Sequence, residues 1–203
     1  MTKVDSKIID ALNLVKNSIQ VFDCNVEIYN NELSVESSSS DFIKIIHFIK
    51  DHPNTNFDVL IDICAVDFPN KPKRFEIVYQ FLSISLNLRM KLKLKVDVDE
   101  SVESVSSIYP CANWYEREIW DLFGISFSNH PDLRRILTDY DFEGFPLRKD
   151  FPLTGFVQVK YDDEKEQVIY EPVKLDQEYR DFDNLSPWEG MTKELPGDEK
   201  SGL

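Results

Sequence analysis

The segment NLRMKLKLKVDV, residues 87–98, alternates apolar and charged side chains along most of its length. The even-numbered positions from Leu88 to Val98 are all apolar, and the odd-numbered positions from Arg89 to Asp97 are all charged. Since successive side chains of a β-strand point to opposite faces of the sheet, the pattern predicts a strand with one buried face and one basic face. The basic row is either a docking patch or a solvated face that resists edge-to-edge aggregation, and we favour the solvated face.

Helix and strand patterns surround this segment. The stretch 57–68 is apolar on much of both faces, which is typical of a central strand. Asp41 stands where its carboxylate would cap a helix. The expected elements are, in chain order, a helix over 5–19, strands over 21–29 and 32–36, a helix from 42 that ends at His52-Pro53, and strands over 57–68, 74–84 and 87–98. They predict an α+β fold in which helices pack on a mixed sheet.

Two further helices are expected before this module ends. A short one near 102–108 follows the last strand, and a better-marked one covers 114–123. Asn113 with Glu116 three residues later fits a capping box at the start of the second helix. Gly124 fits the left-handed residue that ends such a helix.

The composition changes beyond this helix. All six glycines lie at or after Gly124, and seven of the ten prolines lie at or after Pro110. Residues 129–203 mix charged and aromatic side chains without a sustained period, so they cannot bury their own apolar groups along one face, yet they are too aromatic for a disordered tail. We therefore expect a compact domain, residues 1–128, and an extended segment, residues 129–203, which becomes ordered on a partner and carries a β-hairpin near 156–172.

The overall composition argues against several classes of function. The net charge of −14 disfavours nucleic-acid binding, which needs a basic surface, and direct adhesion to anionic lipid. Three widely separated cysteines indicate neither a disulfide framework nor a thiolate metal site. Without a signal peptide, a membrane-spanning apolar run or a lipidation motif, the sequence is typical of a soluble protein in a reducing compartment.

The densest cluster of charges lies on the helix expected at 114–123. Arg117 and Asp121 are four residues apart and can form an ion pair, while Glu118 and Asp121 face the same side. Together with Glu116 they form either a proton-handling carboxylate pair or an ion-pair lattice that anchors the helix. We favour the lattice, because helical carboxylate pairs are common in soluble proteins.

A second group of charges follows in the extended segment. Its members are the basic Arg134, Arg135, Arg148 and Lys149 and the acidic Asp132 and Asp150. Bidentate arginine–carboxylate pairing fixes geometry, so we interpret the group as a tether for an irregular segment, with an anion-substrate site as the alternative. His130 has no second histidine or cysteine at ligand spacing. Since a Gly-rich loop and a nucleophile motif are also missing, we expect no catalytic, cofactor-binding or metal-binding residue in this chain.

The second half of the chain resembles a known family. The segments that carry the likeness are YEREIWDLFGISFSNHPDLRRILTDYDFEGFPLRKDFPLTG, residues 115–155, and VKYDDEKEQVIYEPVKLDQEYRDFDNLSPWE, residues 159–189. They are similar to a peripheral-arm subunit of respiratory complex I, the proton-pumping NADH:quinone oxidoreductase, whose mitochondrial form is the 30 kDa-class subunit. Upstream of residue 115 the likeness is looser. Trp188 joins the charged residues above as a candidate interface residue.

The resemblance implies a scaffold role. The 30 kDa-class subunit holds no cofactor in that family, and FMN and iron–sulfur clusters are expected in partner subunits. The extension is expected to wrap the subunit that forms the quinone site, beside a cluster-bearing subunit. The complex passes electrons from NADH through these cofactors to quinone and couples the transfer to proton translocation, whereas the isolated chain is expected to be inactive.

The resemblance also implies a location. The chain is expected to be part of a hetero-oligomer without a membrane span of its own, at the cytoplasmic face of a bacterial inner membrane or the matrix side of a mitochondrial one. One alternative is a homologous subunit of a membrane-bound hydrogenase-type complex. The other is a free-standing enzyme that uses Glu118 and Asp121.

Overall fold

The structure is a computed structural model that describes residues 3–175 and 177. The described helices are α1 (Lys3–Ile19), α2 (Phe42–Asp51) and α3 (Ala112–Phe123). The described strands are β1 (Cys24–Tyr29), β2 (Glu32–Ser37), β3 (Val59–Asp67), β4 (Phe75–Ser83), β5 (Leu88–Val96), β6 (Val102–Glu103), β7 (Phe127–Ser128), β8 (Val157–Asp162) and β9 (Gln167–Pro172).

Five strands form one mixed sheet in the order β1-β2-β5-β4-β3. Strands β2 and β5 run parallel, and the other neighbours run antiparallel. Strand β5 lies at the centre, and its even-numbered side chains from Leu88 to Val96 are all buried. Helix α2 packs on the same face, where the ring of Phe42 lies 5.0 Å from that of Tyr79 on β4. The predicted α+β fold with a mixed sheet is confirmed.

The basic face of β5 is neutralised by acidic side chains of the adjacent strand. The ammonium of Lys91 lies 2.7 Å from the carboxylate of Glu32, and that of Lys95 lies 2.9 Å from the carboxylate of Glu36. All four side chains are partly exposed, so each pair contributes at most ~1 kcal/mol. These pairs support a solvated sheet face rather than a docking patch.

The strand predicted at 57–68 is not central. Strand β3 lies at the edge of the sheet, and β4 is its partner among the described strands. Its other edge faces α3, where the hydroxyl of Tyr115 donates to the carbonyl of Ile61 (2.9 Å) and the thiol of Cys111 lies 3.6 Å from the carbonyl of Leu60. A β-bulge at Ile61 interrupts the pairing with β4. The second apolar face, which indicated a central strand, is only partly covered, since Ile61 and Val66 are exposed.

The short helix predicted near 102–108 is wrong. Val102 and Glu103 form strand β6, which pairs in parallel with β7, and the chain then turns. The hydroxyl of Ser104 accepts a hydrogen bond from the backbone N–H of Ser106 at 3.2 Å. Serine side chains that bond to nearby backbone groups compete with helical hydrogen bonds, which explains why this segment does not become helical.

Helix α3 ends as predicted but begins differently. Gly124 has a φ of 75°, and its N–H donates to the carbonyl of Trp120 at 2.8 Å, which confirms the left-handed stop. The helix begins at Ala112, two residues earlier than expected, and has no side-chain cap. The capping box of Asn113 and Glu116 is therefore wrong, because the Glu116 carboxylate bonds to another segment.

Asp41 precedes α2, as predicted, but does not cap it with its side chain. Its carboxylate instead accepts hydrogen bonds from the backbone N–H of Asp23 at 3.1 Å and from the ammonium of Lys44 at 2.7 Å. The residue thus ties the turn before β1 to the start of α2.

The chain forms two compact units, which divide after Leu153. The second contains the predicted hairpin, in which β8 pairs antiparallel with β9. Its large exposed apolar side chains include Phe156, Val157, Val159, Tyr161, Val168 and Tyr170. Residues 129–153 belong to the first unit, so compact packing continues past residue 128. That the segment beyond 128 becomes ordered on a partner stays a prediction, and Trp188 lies outside the described residues.

The left-handed turn at Gly124 gives a first test. A Cβ at this position would lie 2.5 Å from Phe145 Cε2 and 2.6 Å from Arg148 Nη2. We expect Gly124→Ala to lower the free energy of unfolding by more than the ~1–2 kcal/mol that a left-handed alanine costs, because both side chains must also move. Asn87→Ala is the control, since Asn87 is exposed and has a φ of 51°. Urea unfolding followed by circular dichroism measures both variants, and equal losses would contradict the crowding at Gly124.

Candidate functional site

Most of the buried charged residues of the first unit lie on α3. Glu116 and Asp121 are fully buried and Arg117 is nearly so, whereas Glu118 is half-buried. A charged group that leaves water is costly unless hydrogen bonds or opposite charges replace the lost solvation. The partners of each side chain therefore show what the helix holds in place.

Asp121 receives hydrogen bonds from an entire turn of the chain that follows the helix. Its Oδ2 accepts from the backbone N–H groups of Ile136, Leu137 and Thr138 at 3.1, 2.7 and 2.9 Å. Its Oδ1 accepts from the Thr138 hydroxyl and from Arg135 Nη1. Burial alone would raise the pKa of Asp121, but these hydrogen bonds hold it well below its usual range. The carboxylate is therefore ionised at neutral pH.

Arg135 connects the same helix to a more distant part of the chain. Its Nη1 donates to the carbonyl and the carboxylate of Asp121, and its Nη2 donates to the carbonyls of Phe142 (2.8 Å) and Gly144 (3.1 Å). The guanidinium also lies over the rings of Trp120 and Phe145, 5.5 and 5.3 Å from their centroids. We call residues 130–150 the strap, because contacts of this kind fix them to the domain.

Arg117 also holds the strap. Its Nε and Nη2 donate to the backbone carbonyls of Arg134 and Arg135 at 3.3 and 3.0 Å. The predicted ion pair between Arg117 and Asp121 is therefore wrong. The two side chains share a helix face, but each of them forms its hydrogen bonds with the strap.

A second anchor fixes the end of the strap to the sheet. The carboxylate of Asp67 on β3 is fully buried and receives Nε and Nη2 of Arg74 at 2.7 and 2.8 Å. The backbone N–H of Lys149 donates to the same carboxylate at 2.7 Å, and Arg74 Nη1 lies 2.9 Å from the carboxylate of Asp150. Hydrogen bonds from Arg74 lower the pKa of Asp67 despite its burial. Arg148 adds a hydrogen bond from its Nε to the carbonyl of Phe123.

Asp67 and Arg74 were not predicted as site residues. The signal was present, because Ile63, Ala65 and Asp67 occupy alternate positions and so share the inward face of β3. A carboxylate that continues an inward apolar row needs a buried partner. Ser104 was missed as well, since it was assigned to a helix.

Glu116 differs from the other buried carboxylates because no cation pairs with it among the described residues. Its Oε1 accepts from the Val105 N–H (2.7 Å) and its Oε2 from the Ser104 hydroxyl (2.6 Å). His130 Nε2 lies 3.8 Å away, but it is 3.0 Å from the carbonyl of Asn113, and His130 Nδ1 accepts from the Asp132 N–H. Because a carbonyl only accepts, the proton of His130 is on Nε2 and the ring is neutral. Burial, opposed by the two hydrogen bonds, raises the pKa of Glu116 to about 7.

The remaining predicted residues lie at the surface. Arg134 and Asp132 form a pair at 2.8 Å, in which both side chains are about half exposed. The side chain of Lys149 is also exposed, so its backbone N–H is the group that anchors it. The guanidinium groups of Arg135 and Arg148 are occupied by protein acceptors, which does not favour the anion-substrate alternative.

Neither a cluster of metal ligands nor a membrane-spanning helix occurs in the described part of the chain. No group of three or more His, Cys, Asp or Glu side chains there is arranged to hold a metal ion. None of the helices at residues 3–175 combines the length and apolar character that a membrane span requires.

The two adjacent arginines of the strap provide a matched pair of variants. The side chain of Arg135 is 13% exposed and that of Arg134 is 55% exposed. We expect Arg135→Ala to lower the free energy of unfolding by ~3–5 kcal/mol, because it leaves the Asp121 carboxylate buried without its cation. Arg134→Ala removes a solvent-exposed surface pair and should change the free energy of unfolding far less. Denaturant unfolding of the purified chain gives both values, and similar losses would show that the Asp121–Arg135 contact does not hold the strap.

The raised pKa of Glu116 predicts a pH dependence of stability. The unfolded glutamate loses its proton near pH 4.5 and the folded one near pH 7, so in this window unfolding releases a proton and the free energy of unfolding falls as pH rises. Glu116→Gln removes this contribution, so the stability of the variant relative to the wild type should rise from pH 4.5 to about pH 7. Glu103→Gln, at an exposed carboxylate, is the control. Parallel pH profiles of the wild type and Glu116→Gln would mean that Glu116 does not titrate in this range.

Several known proteins are similar to this chain, and they are subunits of the same kind of enzyme complex. Residues 35–157, which contain both anchors and the whole strap, match the family described as respiratory-chain NADH dehydrogenase, 30 Kd subunit. The corresponding subunit of the NADH-quinone oxidoreductase of Hyphomonas neptunium is 53% identical over 175 residues, which cover 86% of this chain and 87% of that protein. The same subunit from Parvibaculum lavamentivorans is 53% identical over 170 residues, or 84% and 85% of the two chains.

A solved structure shares the fold at a greater distance. A chain in the structure of the membrane-bound sulfane sulfur reductase, an archaeal respiratory membrane complex, aligns with a TM-score of 0.61 and 26% identity. The alignment covers 70% of this chain and 85% of that one. The matched family and the relatives at 53% identity lead to one conclusion: the chain belongs to the family of the 30 kDa subunit of respiratory-chain NADH dehydrogenase, the NADH-quinone oxidoreductase.

Proposed function

We propose that this chain acts as a scaffold within NADH-quinone oxidoreductase and itself handles neither electrons nor protons. As a member of the 30 kDa subunit family, it is part of a membrane-associated, hetero-oligomeric respiratory complex. In the proposed division of labour, partner subunits hold FMN and the iron–sulfur clusters that carry electrons from NADH to quinone, and they couple this transfer to proton translocation. The isolated chain is accordingly inactive.

The main support for this proposal comes from the contacts that the buried charged side chains make. Asp67, Asp121, Arg117 and Arg135 all use their charges to hold the strap against α3 and the sheet. A general acid or base works best when its pKa lies near the ambient pH, whereas the pKa values of Asp67 and Asp121 are lowered. The pKa of Glu116 is raised to about 7, but its carboxylate is fully buried and bonds to the Val105 N–H and the Ser104 hydroxyl, so it too holds a neighbouring segment in place. These arrangements suit a rigid support and not a proton-handling carboxylate pair.

The properties of the hairpin in the second unit favour a partner subunit that lies against it. A two-stranded hairpin is at best marginally stable alone, and β8 and β9 carry exposed aromatic and aliphatic side chains. We propose that the extended segment wraps the quinone-site subunit, with the cluster-bearing subunit nearby. The net charge of −14 favours attachment through these subunits, rather than through anionic lipid, at the cytoplasmic face of the inner membrane or the matrix side of a mitochondrial one.

The alternative of a hydrogenase-type membrane complex is not favoured. Relatives named as subunits of NADH-quinone oxidoreductase are 53% identical over most of both chains, whereas the chain from the archaeal reductase complex is 26% identical. Co-purification in mild detergent separates the possibilities, because the identities of the accompanying subunits differ.

A scaffold role predicts that damage to an anchor reduces the amount of complex and not its turnover. We expect Arg135→Ala to lower the abundance of assembled complex in the membrane several-fold, because a loosened strap presents a poorly defined surface to its partners. NADH:quinone turnover per assembled complex should stay near that of the wild type. Arg134→Ala, the surface control, should leave both quantities unchanged. Abundance is measured on native gels and by NADH oxidation with an artificial acceptor. Normal abundance with strongly reduced turnover would instead place Arg135 at a functional site.

A further inference from the structure

A groove of about 170 Å³ lies between the outer edge of β3 and helix α3. Its apolar lining includes Ile63 and Ala65 of β3 and Ile119 and Leu122 of α3. Pockets for drug-sized ligands and cofactors are typically ~300–1,000 Å³, so this groove is too small for a nucleotide or a flavin. It has room for one long side chain.

Two carboxylates line this apolar groove, those of Asp62 and Glu118. Both side chains are half-buried, so they have lost part of their contact with water. Nevertheless, neither carboxylate has an ion pair or a hydrogen bond to any described residue, in contrast to Glu116 and Asp121 on the same helix. A partly desolvated carboxylate without a partner is unfavourable, and a cation from another molecule would relieve this cost.

The neighbouring thiol adds no negative charge to the groove. Burial, and then the nearby Asp62 carboxylate, raise the pKa of Cys64, so this side chain is neutral at physiological pH. Two carboxylates are also fewer than the three or more ligands that a protein metal site normally uses. The chemistry of the groove therefore fits an organic cation on an aliphatic stem.

The edge of β3 makes the same location accessible to another chain. The first turn of α3 covers part of this edge. There the Tyr115 hydroxyl and the Cys111 thiol donate to the carbonyls of Ile61 and Leu60. Beyond the bulge, from Asp62 onward, the groove lies along this edge of the strand. Edge strands readily accept contacts from other chains, since part of their backbone is unpaired.

We propose that this groove docks a lysine or arginine side chain of a neighbouring subunit of the complex. The aliphatic stem lies along the apolar floor between β3 and α3, and the cation pairs with Asp62 and Glu118, as long basic side chains do when they bury their stems and keep a polar head. This inference rests on the proposed scaffold role and adds the chemistry of one contact to it. Glu118 is thus a docking residue, while Glu116 and Asp121 hold the domain itself together.

Charge variants of Glu118 in the whole complex test the proposal. We expect the abundance of assembled complex to follow the charge, with an intermediate loss for Glu118→Gln and a loss of about tenfold or more for Glu118→Lys, because like charges then meet across the contact. Denaturant unfolding of the isolated chain should change little in either variant, since Glu118 has no partner among the described residues there. Suppressors of Glu118→Lys should replace a basic residue of a neighbouring subunit by an acidic one.

Carboxyl labelling with a carbodiimide and a small amine gives an independent readout. Glu118 and Asp62 should react in the isolated chain and be protected in the complex, whereas Glu116 and Asp121 are buried and should be protected in both. Equal abundance for the wild type, Glu118→Gln and Glu118→Lys, or equal labelling of Glu118 in chain and complex, would overturn the docking proposal. If Arg135→Ala still lowers abundance in that case, the scaffold role stands and the groove alone is misassigned.

Discussion

The buried carboxylate of Asp121 is the contact on which the arrangement of this domain depends. It accepts hydrogen bonds from three successive backbone N–H groups, a hydroxyl and a guanidinium, all from residues 135–138. An isolated charge at this depth would be strongly destabilising, but here every donor belongs to a segment that has no regular secondary structure of its own. The carboxylate thus supplies the acceptors that these backbone N–H groups would otherwise find in a helix or strand. Because of these bonds, the strap follows a defined path.

The three carboxylates of α3 show how environment separates identical chemistry. Asp121 is buried with a cation and several donors, so it is ionised. Glu116 is buried with two neutral donors and a neutral histidine, so its pKa is raised to about 7. Glu118 is half-buried beside an apolar groove without a partner among the described residues. One helix therefore holds a permanent anchor, a protonatable group and an unsatisfied charge within two turns.

Local features of this chain could be predicted from its sequence, whereas contacts between distant segments could not. Strand β5 and the glycine after α3 were predicted correctly, because alternation and left-handed geometry are local properties of the chain. The likeness of residues 115–155 to the 30 kDa-class subunit was confirmed by the matched family. The position of β3 at an edge and the partners of Arg117 and Asp121 were predicted wrongly. Residues four apart on a helix can pair, but donors that arrive from the strap decide otherwise, and spacing along the helix carries no information about them.

Sheet topology has a consequence for how this protein is made. Strand β2 lies between β1 and β5, and its residues 33–37 pair in parallel with residues 90–94 of β5. The N-terminal hairpin of β1 and β2 therefore has no neighbour on its inner side until nearly half of the polypeptide has been synthesised. Pairings between residues so far apart in sequence form slowly, because a long loop must close before any contact rewards it. During translation, the backbone groups of residues 33–37 that later pair with β5 are consequently open to chaperones and to other nascent chains until β5 leaves the ribosome.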